Sequence, residues 1–280
     1  MMVSRVEVDM GARSHPGKVR TNNEDHYLVT RFQRTMKTLL TNVPDGTVPA
    51  EHEDTAYGLL VADGMGGAAA GEVASRTAIG ALIELALQTP DWIMRLDESR
   101  VGEVLDRMKQ RFEKLSGVLS ERAQSDPKLS GMGTTMTLVL SLGTDAIVVH
   151  IGDSRAYLKH GNTLHRLTHD QTMAQSLADA GAITAEEVKK HPLRHMLTGA
   201  ITTKGGRATI QLQHLGLADG DQILLCSDGL TDMVGDDAIG ETLDRSGPAE
   251  PVCQALVERA LEAGGKDNVT VVLARYRVSA

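Results

Sequence analysis

Four short apolar runs in this 280-residue chain begin or end at a carboxylate beside glycine. Leu59, Leu60, Val61 and Ala62 run into Asp63-Gly64, with Gly66 and Gly67 close behind. Ile223, Leu224, Leu225 and Cys226 run into Ser227-Asp228-Gly229. Residues 148–151 end in Gly152-Asp153, and Asp267-Asn268, just past Gly264-Gly265, opens the run 269–276. A run that is apolar at every position predicts a strand covered on both faces, so the fold must supply layers above and below it. One strand-end Asp is unremarkable. Several, each held at the edge of a buried strand, point to carboxylates converging on cations, because a cluster without a cation repels itself.

The rest of the chain supplies those layers. After Gly71, residues Ala74, Ala78, Ala81, Leu82 and Leu85 recur at helical spacing. A second helical stripe carries Val101, Val104, Leu105, Met108, Phe112, Leu115 and Leu119, and Asp126-Pro127 and Gly131 end it. Strands are expected at 3–9, 26–32, 134–142, 145–151, 154–159, 163–167, 207–214, 221–227 and 269–277. Gly143 and Gly161 sit in connections short enough for antiparallel hairpins. Residues 33–55, with Pro44, Asp45-Gly46 and Pro49, read as a long loop. Residues 171–191 read as helical and mobile, with a capping-box pattern at Thr184 and Glu187. Helices are expected after Asp236 and over 250–262. Mostly β-β neighbours exclude a doubly wound sheet. The expected class is α+β: an antiparallel β-sandwich of two sheets flanked by helices, in one domain over 1–280.

Composition narrows the function. The formal charge is −8, and the aromatic residues number only one Trp, four Tyr and two Phe. An acidic chain with few stacking platforms excludes nucleic acid as a natural partner, and no basic run suits an anionic membrane. No apolar run approaches spanning length, and residues 1–15 lack the apolar block of a signal peptide, so a cytoplasmic protein is expected. Cys226 and Cys253 read as buried thiols rather than a disulfide framework.

Oxygen ligands suit Mg²⁺, Mn²⁺ or Ca²⁺ rather than Zn²⁺. His191 and His195 are four apart, but Pro192 lies between them and no cysteine pair supports zinc. Two hard cations bridged by one Asp activate a water for in-line attack on phosphorus. Arg20, forked and always charged, is suited to the phosphoryl oxygens. Gly64-x-Gly66-x-x-Ala69 matches a dinucleotide fingerprint, yet Asp63 would face the pyrophosphate with like charge and no second βαβ unit follows. A P-loop is missing, and Ser154 in GDSRA is no nucleophile elbow.

The blocks RTNNED, VADGMGG, GEVAS, GMGTT, HIGDSRAYL, LTHDQT, GDQILLCSDGL and GGKDNVTVVLAR occur in this order. Together they resemble the PPM family, the metal-dependent protein serine/threonine phosphatases of type 2C, in its bacterial form. The resemblance implies an α-β-β-α sandwich with paired helices outside and a mobile flap over about 171–195. It implies that Asp63 bridges two Mn²⁺ or Mg²⁺ ions, with the Gly64 carbonyl on one of them. Asp228 and Asp267 then hold the other ion, Asp25 with Glu24 beside it serves the second, and Arg20 binds the substrate phosphate. Asp153 is implied to be structural. The implied partners are phosphoprotein substrates and an opposing serine/threonine kinase, and a monomer is expected.

Two family histidines are replaced here, by Met65 and Ala68, so the resemblance supplies no general acid. A third ion in the family draws on an Asp just ahead of GMGTT. Here that stretch is Asp126 to Ser130: Asp126 stands too far back and Ser130 is a weak neutral ligand, so any third ion is expected to bind weakly through Asp228 and water. The competing readings are a catalytically weak phosphatase-like domain that binds partners and a di-metal hydrolase of small phosphates. Intact Asp63, Asp228, Asp267 and Arg20 weigh against loss of activity.

Overall fold

The computed structural model describes residues 5–44, 46–66, 70–88, 101–203 and 209–279. β1 (Arg5–His15), β2 (Asp25–Lys37) and β3 (Glu51–Met65) come first, followed by helices α1 (Ala70–Leu87) and α2 (Val101–Ser125). Next are β4 (Gly133–Thr134), β5 (Met136–Leu142), β6 (Asp145–Ile151), β7 (Arg155–His160) and β8 (Thr163–Arg166). Helices α3 (Met173–Asp179) and α4 (Ala185–Val188) precede β9 (Ile201–Thr202), β10 (Gln211–Gly216) and β11 (Gln222–Cys226). Helices α5 (Asp228–Thr231), α6 (Asp236–Leu243) and α7 (Ala249–Glu262) lead into β12 (Val269–Ser279).

The strands form two antiparallel sheets. One runs β1-β12-β11-β7-β8. The other runs β10-β6-β5-β3-β2, with β4 continuing the β5 ladder along β3 and β9 beside it. The apolar runs are explained by three stacked cores. Leu59 and Val61 face the other sheet, as do Ile223 and Leu225 from β11 and Val272 and Ala274 from β12. The alternate residues Leu60 and Ala62 face α1 and α2, where Ala74, Ala78, Phe112, Leu115 and Leu119 bury. Leu224 and Cys226 face α6 and α7 on the far side. Burial on both faces removes the polar positions of a one-sided strand. The result is the expected α-β-β-α sandwich. Both cysteines are free and buried. No helix among the described residues is long and apolar enough to cross a membrane.

The structure corrects the expected 33–55 loop. β2 continues to Lys37 and β3 begins at Glu51, so only residues 38–50 connect them. This ribbon lacks apolar alternation because both of its faces are largely exposed. Polar pairs across the strands hold it instead: Arg34 with Asp54, Lys37 with Glu51 at 3.1 Å, and Gln33 donating to Glu53 at 2.7 Å. The strand expected at 134–142 is interrupted at Thr135, whose N–H donates to the Asp63 carbonyl. The helical stretch at 171–191 divides into α3 and α4, and Thr184 and Glu187 form the reciprocal capping box. The expected strand at 207–214 appears as β10, with residues 207 and 208 outside the described set. The side chains of Val101, Val104 and Leu105, and all of Ala68, also lie outside the described residues.

Candidate metal centre

Register brings the first two carboxylates together. Asp25 on β2 lies directly opposite Asp63 on β3. Opposed residues share a sheet face, with Cβ atoms about 5 Å apart. Counting back by twos from Asp63 reaches Val61 and Leu59 in the inter-sheet core, so both carboxylates open at one end of the space between the sheets. The second sheet arrives at the same end. Ser227, just past β11, donates from Oγ to Asp25 Oδ2 at 2.6 Å and accepts from the Thr270 N–H at 3.0 Å. Asp228 follows as the first residue of α5.

Asp267 and Asn268 bring in the 16–24 loop. The Asn268 amide donates to the carbonyls of Pro16 (3.0 Å) and Asn22 (2.8 Å), and its Oδ1 accepts from the Glu24 N–H at 2.8 Å. Arg20 Nη2 donates to Asp267 Oδ2 at 2.7 Å. The glycine after each strand-end Asp has a packing reason. A Cβ on Gly64 would overlap the carbonyl oxygen of Gly71 in α1, and one on Gly229 would overlap that of Asn268. Close backbone approach is thus what joins each Asp to its neighbouring element.

Arg20, Glu24, Asp63, Gly64, Asp228 and Asp267 all line one open cavity of about 590 Å³. Asp25 lies behind them, only 4% exposed, and its Oδ1 is buried with no hydrogen-bond partner. Burial, opposed by the Ser227 bond, pushes the Asp25 carboxyl up to about 7. Burial and then Asp25, Asp228, Asp153 and Asp267 raise the Asp63 carboxyl well above its ordinary range. Burial likewise raises Glu24. Hydrogen bonding to Asp267, reinforced by its charge, raises Arg20 further. Carboxylates gathered this closely, with their charge only partly met by Arg20, make a site for hard cations.

Three further residues belong to the cavity. His195 places Nδ1 3.3 Å from Asp228 Oδ2 and Nε2 3.2 Å from Asp232 Oδ2, and these bonds lift its pKa to about 10 against partial burial. Asp153, read from the sequence as structural, is buried, and it offers an oxygen within 4.8 Å of ligand atoms on His195 and Asp228. The sequence reading missed His195 and Asp232. For His195 the signals are its spacing from His191 and its place in the implied flap over 171–195; Asp232 carries none. Asp126 is elsewhere: it is exposed and caps the turn Pro127–Leu129, accepting from the Lys128 N–H at 3.1 Å. Ser154 Oγ is hydrogen-bonded to Thr135 Oγ1 at 2.7 Å in the core, where it cannot serve as a nucleophile.

The chain is similar to known proteins of one family. Residues 45–273 match the family profile described as Protein phosphatase 2C. The serine/threonine protein phosphatase PstP of Mycobacterium tuberculosis is 40% identical over 233 residues, 82% of this chain; the chain spans 43% of that relative's length. Protein phosphatase PhpP of Streptococcus pneumoniae is 33% identical over 261 residues, 92% of this chain and 93% of the relative. The crystal structure of the PstP catalytic domain in complex with two manganese ions superposes with a TM-score of 0.74 at 34% identity, covering 98% of this chain and all of that one.

Proposed function

The chain belongs to the protein phosphatase 2C family, and on that footing we propose that it hydrolyses phosphoserine and phosphothreonine in proteins with the help of two divalent cations. The observation that carries the proposal is the cross-strand pair of Asp25 and Asp63, set against Asp228 and Asp267 at the mouth of the sandwich. The residues fit hard cations: the donors are oxygens throughout, and Asp25 Oδ1 is buried without a partner. Asp63 would bridge, with the Gly64 carbonyl beside it. Asp228 and Asp267 would hold one Mn²⁺ or Mg²⁺, and Asp25, with Glu24, would serve the other. When bound, such ions acidify a water and screen phosphate charge.

The chain's own part is placement. Arg20 is held by Asp267 at the cavity wall, and its remaining N–H donors would take the phosphoryl group. Rigid strands and the Ser227 bond fix the carboxylates, so little reorganisation accompanies the reaction. Phosphoproteins are the proposed substrates, and a serine/threonine kinase would be the opposing enzyme. The test is phosphate release from phosphothreonine, phosphotyrosine and small-molecule substrates, with Mn²⁺ and with EDTA. Release from phosphothreonine peptide that needs Mn²⁺ supports the reading. Full activity in EDTA, or activity on small phosphates alone, contradicts it.

A further inference from the structure

The main cavity continues into a second chamber of about 460 Å³, between residues 188–195 on one side and α5 with the start of α6 on the other. Arg194, Asp228, Asp232, Met233 and Lys266 are among the residues that line both spaces, so an extended ligand can occupy the two together. The pairing of charges in the second chamber is uneven. Asp170 accepts from Arg155 Nη2 at 2.6 Å and from its Nε at 2.9 Å. Asp236 accepts from the Tyr157 hydroxyl at 3.0 Å, and Asp232 faces His195. Arg155 is therefore committed. Lys189, Arg194 and Lys266 form no ion pair and no side-chain hydrogen bond among the described residues. Arg194 is half-buried and its charge acts on Asp232, but its N–H donors make no hydrogen bond among the described residues. Three cations on the cleft wall that hydrogen-bond to no carboxylate suit an anion supplied from outside.

We propose that this chamber is an anion subsite for the substrate: it takes an acidic side chain, carboxylate or second phosphate, close in sequence to the phosphoresidue held at Arg20. The proposal rests on the phosphatase reading above. It makes Arg194 and Lys266 specificity-determining residues, with Lys189 at the chamber's far wall.

The test is a set of phosphothreonine peptides with Glu placed in turn at each flanking position, matched by Ala and Lys peptides. A further arm carries a second phosphothreonine. The wild-type protein should favour at least one Glu position over Ala by about tenfold in kcat/KM, through KM, as one charge-assisted contact provides. Salt should shrink the preference. The ratio should fall towards one in Arg194→Ala and in Lys266→Ala, and Arg194→Lys should keep most of it. The doubly phosphorylated arm shows which source of anion is preferred. Equal efficiency on Glu, Ala and Lys peptides would overturn the subsite and leave the phosphatase reading standing, as would a Glu preference untouched by both Ala variants. Lys266 is exposed, so Lys266→Ala keeps the test decisive if Arg194→Ala does not fold. A wild-type protein inert on every phosphopeptide would overturn both readings.

Discussion

Replacing Asp63 with Asn should have opposite effects on stability with and without metal. The Asp63 carboxylate makes no side-chain hydrogen bond among the described residues; only its backbone is bonded, to Thr134 and Thr135. Asn therefore breaks no bond in the metal-free protein. What it removes is a carboxyl opposite Asp25 whose ionisation is disfavoured by burial and then by the charges of Asp25, Asp228, Asp153 and Asp267. Two ionised carboxylates about 5 Å apart repel by about 3 kcal/mol at an effective dielectric of about 20. If relief of repulsion recovers a third of it, the metal-free variant gains about 1 kcal/mol, or about 2 °C in melting temperature for a chain of this size. With Mn²⁺ the order reverses, because only the wild type retains the bridging carboxylate and so is stabilised by ligand binding. The assay is thermal melting of both proteins at pH 8, in EDTA and in Mn²⁺, with phosphate release measured in parallel. The variant should fold, melt at or above wild type in EDTA, gain little from Mn²⁺ and lose turnover. A variant that melts several degrees lower in EDTA, or that keeps near-wild-type turnover at modest Mn²⁺, would refute the reasoning.

Arg20→Ala should lower kcat/KM on a phosphothreonine peptide by about 30-fold, the loss of one bidentate charged contact of about 2 kcal/mol. Because Arg20 also bonds Asp267, a smaller drop in Mn²⁺ affinity should accompany it, and calorimetry showing metal loss as the main defect would count against the phosphate role. His150, buried and bonded to Thr137 and the His169 carbonyl, is held down to about 4 by that burial. Between about 4 and 6.5 the unfolded chain binds a proton that the folded one refuses, so stability from this group is complete above 6.5 and falls by about 3 kcal/mol as pH drops to 4. Asp25 contributes with the opposite sign, since its raised carboxyl loses stability as pH rises from 3.8 to 7; the quantity to compare is the difference between wild type and His150→Gln in EDTA, which should shrink by about 3 kcal/mol as pH falls from 6.5 to 4. Amides of residues 171–195, most of all those of its exposed part 180–195, should exchange faster than those of β3 and β11, and slow exchange throughout 171–195 would end the flap reading.

What was legible in the sequence follows from burial. The inner part of β3 and β11 announce themselves because both faces are covered, which leaves runs without polar interruption, β12 nearly does so apart from Thr270 and Arg275, and the carboxylates at their ends are conspicuous by contrast. Asp63, Asp228 and Asp267 could be found this way. The outer ribbon of β2 and β3 could not, since its side chains are wet on both faces and its pairing rests on Arg34, Asp54, Lys37 and Glu51, residues that also suit a loop. The opposition of Asp25 and Asp63 depends on the register of that same ribbon. His195 and Asp232 come from segments 37 residues apart in the chain and meet only through packing of residues 188–195 on α5, which no local pattern encodes.

The central claim is that these strand ends hold two divalent cations. Anomalous diffraction at the manganese edge, from crystals soaked in low Mn²⁺, tests it most directly. The account predicts two peaks bridged by Asp63, one touching Asp228 and Asp267 and the other on the side of Asp25 and Glu24, with any third peak weak and beside Asp228. An absence of peaks at Asp63, or a fully occupied ion held by Asp126, would contradict it.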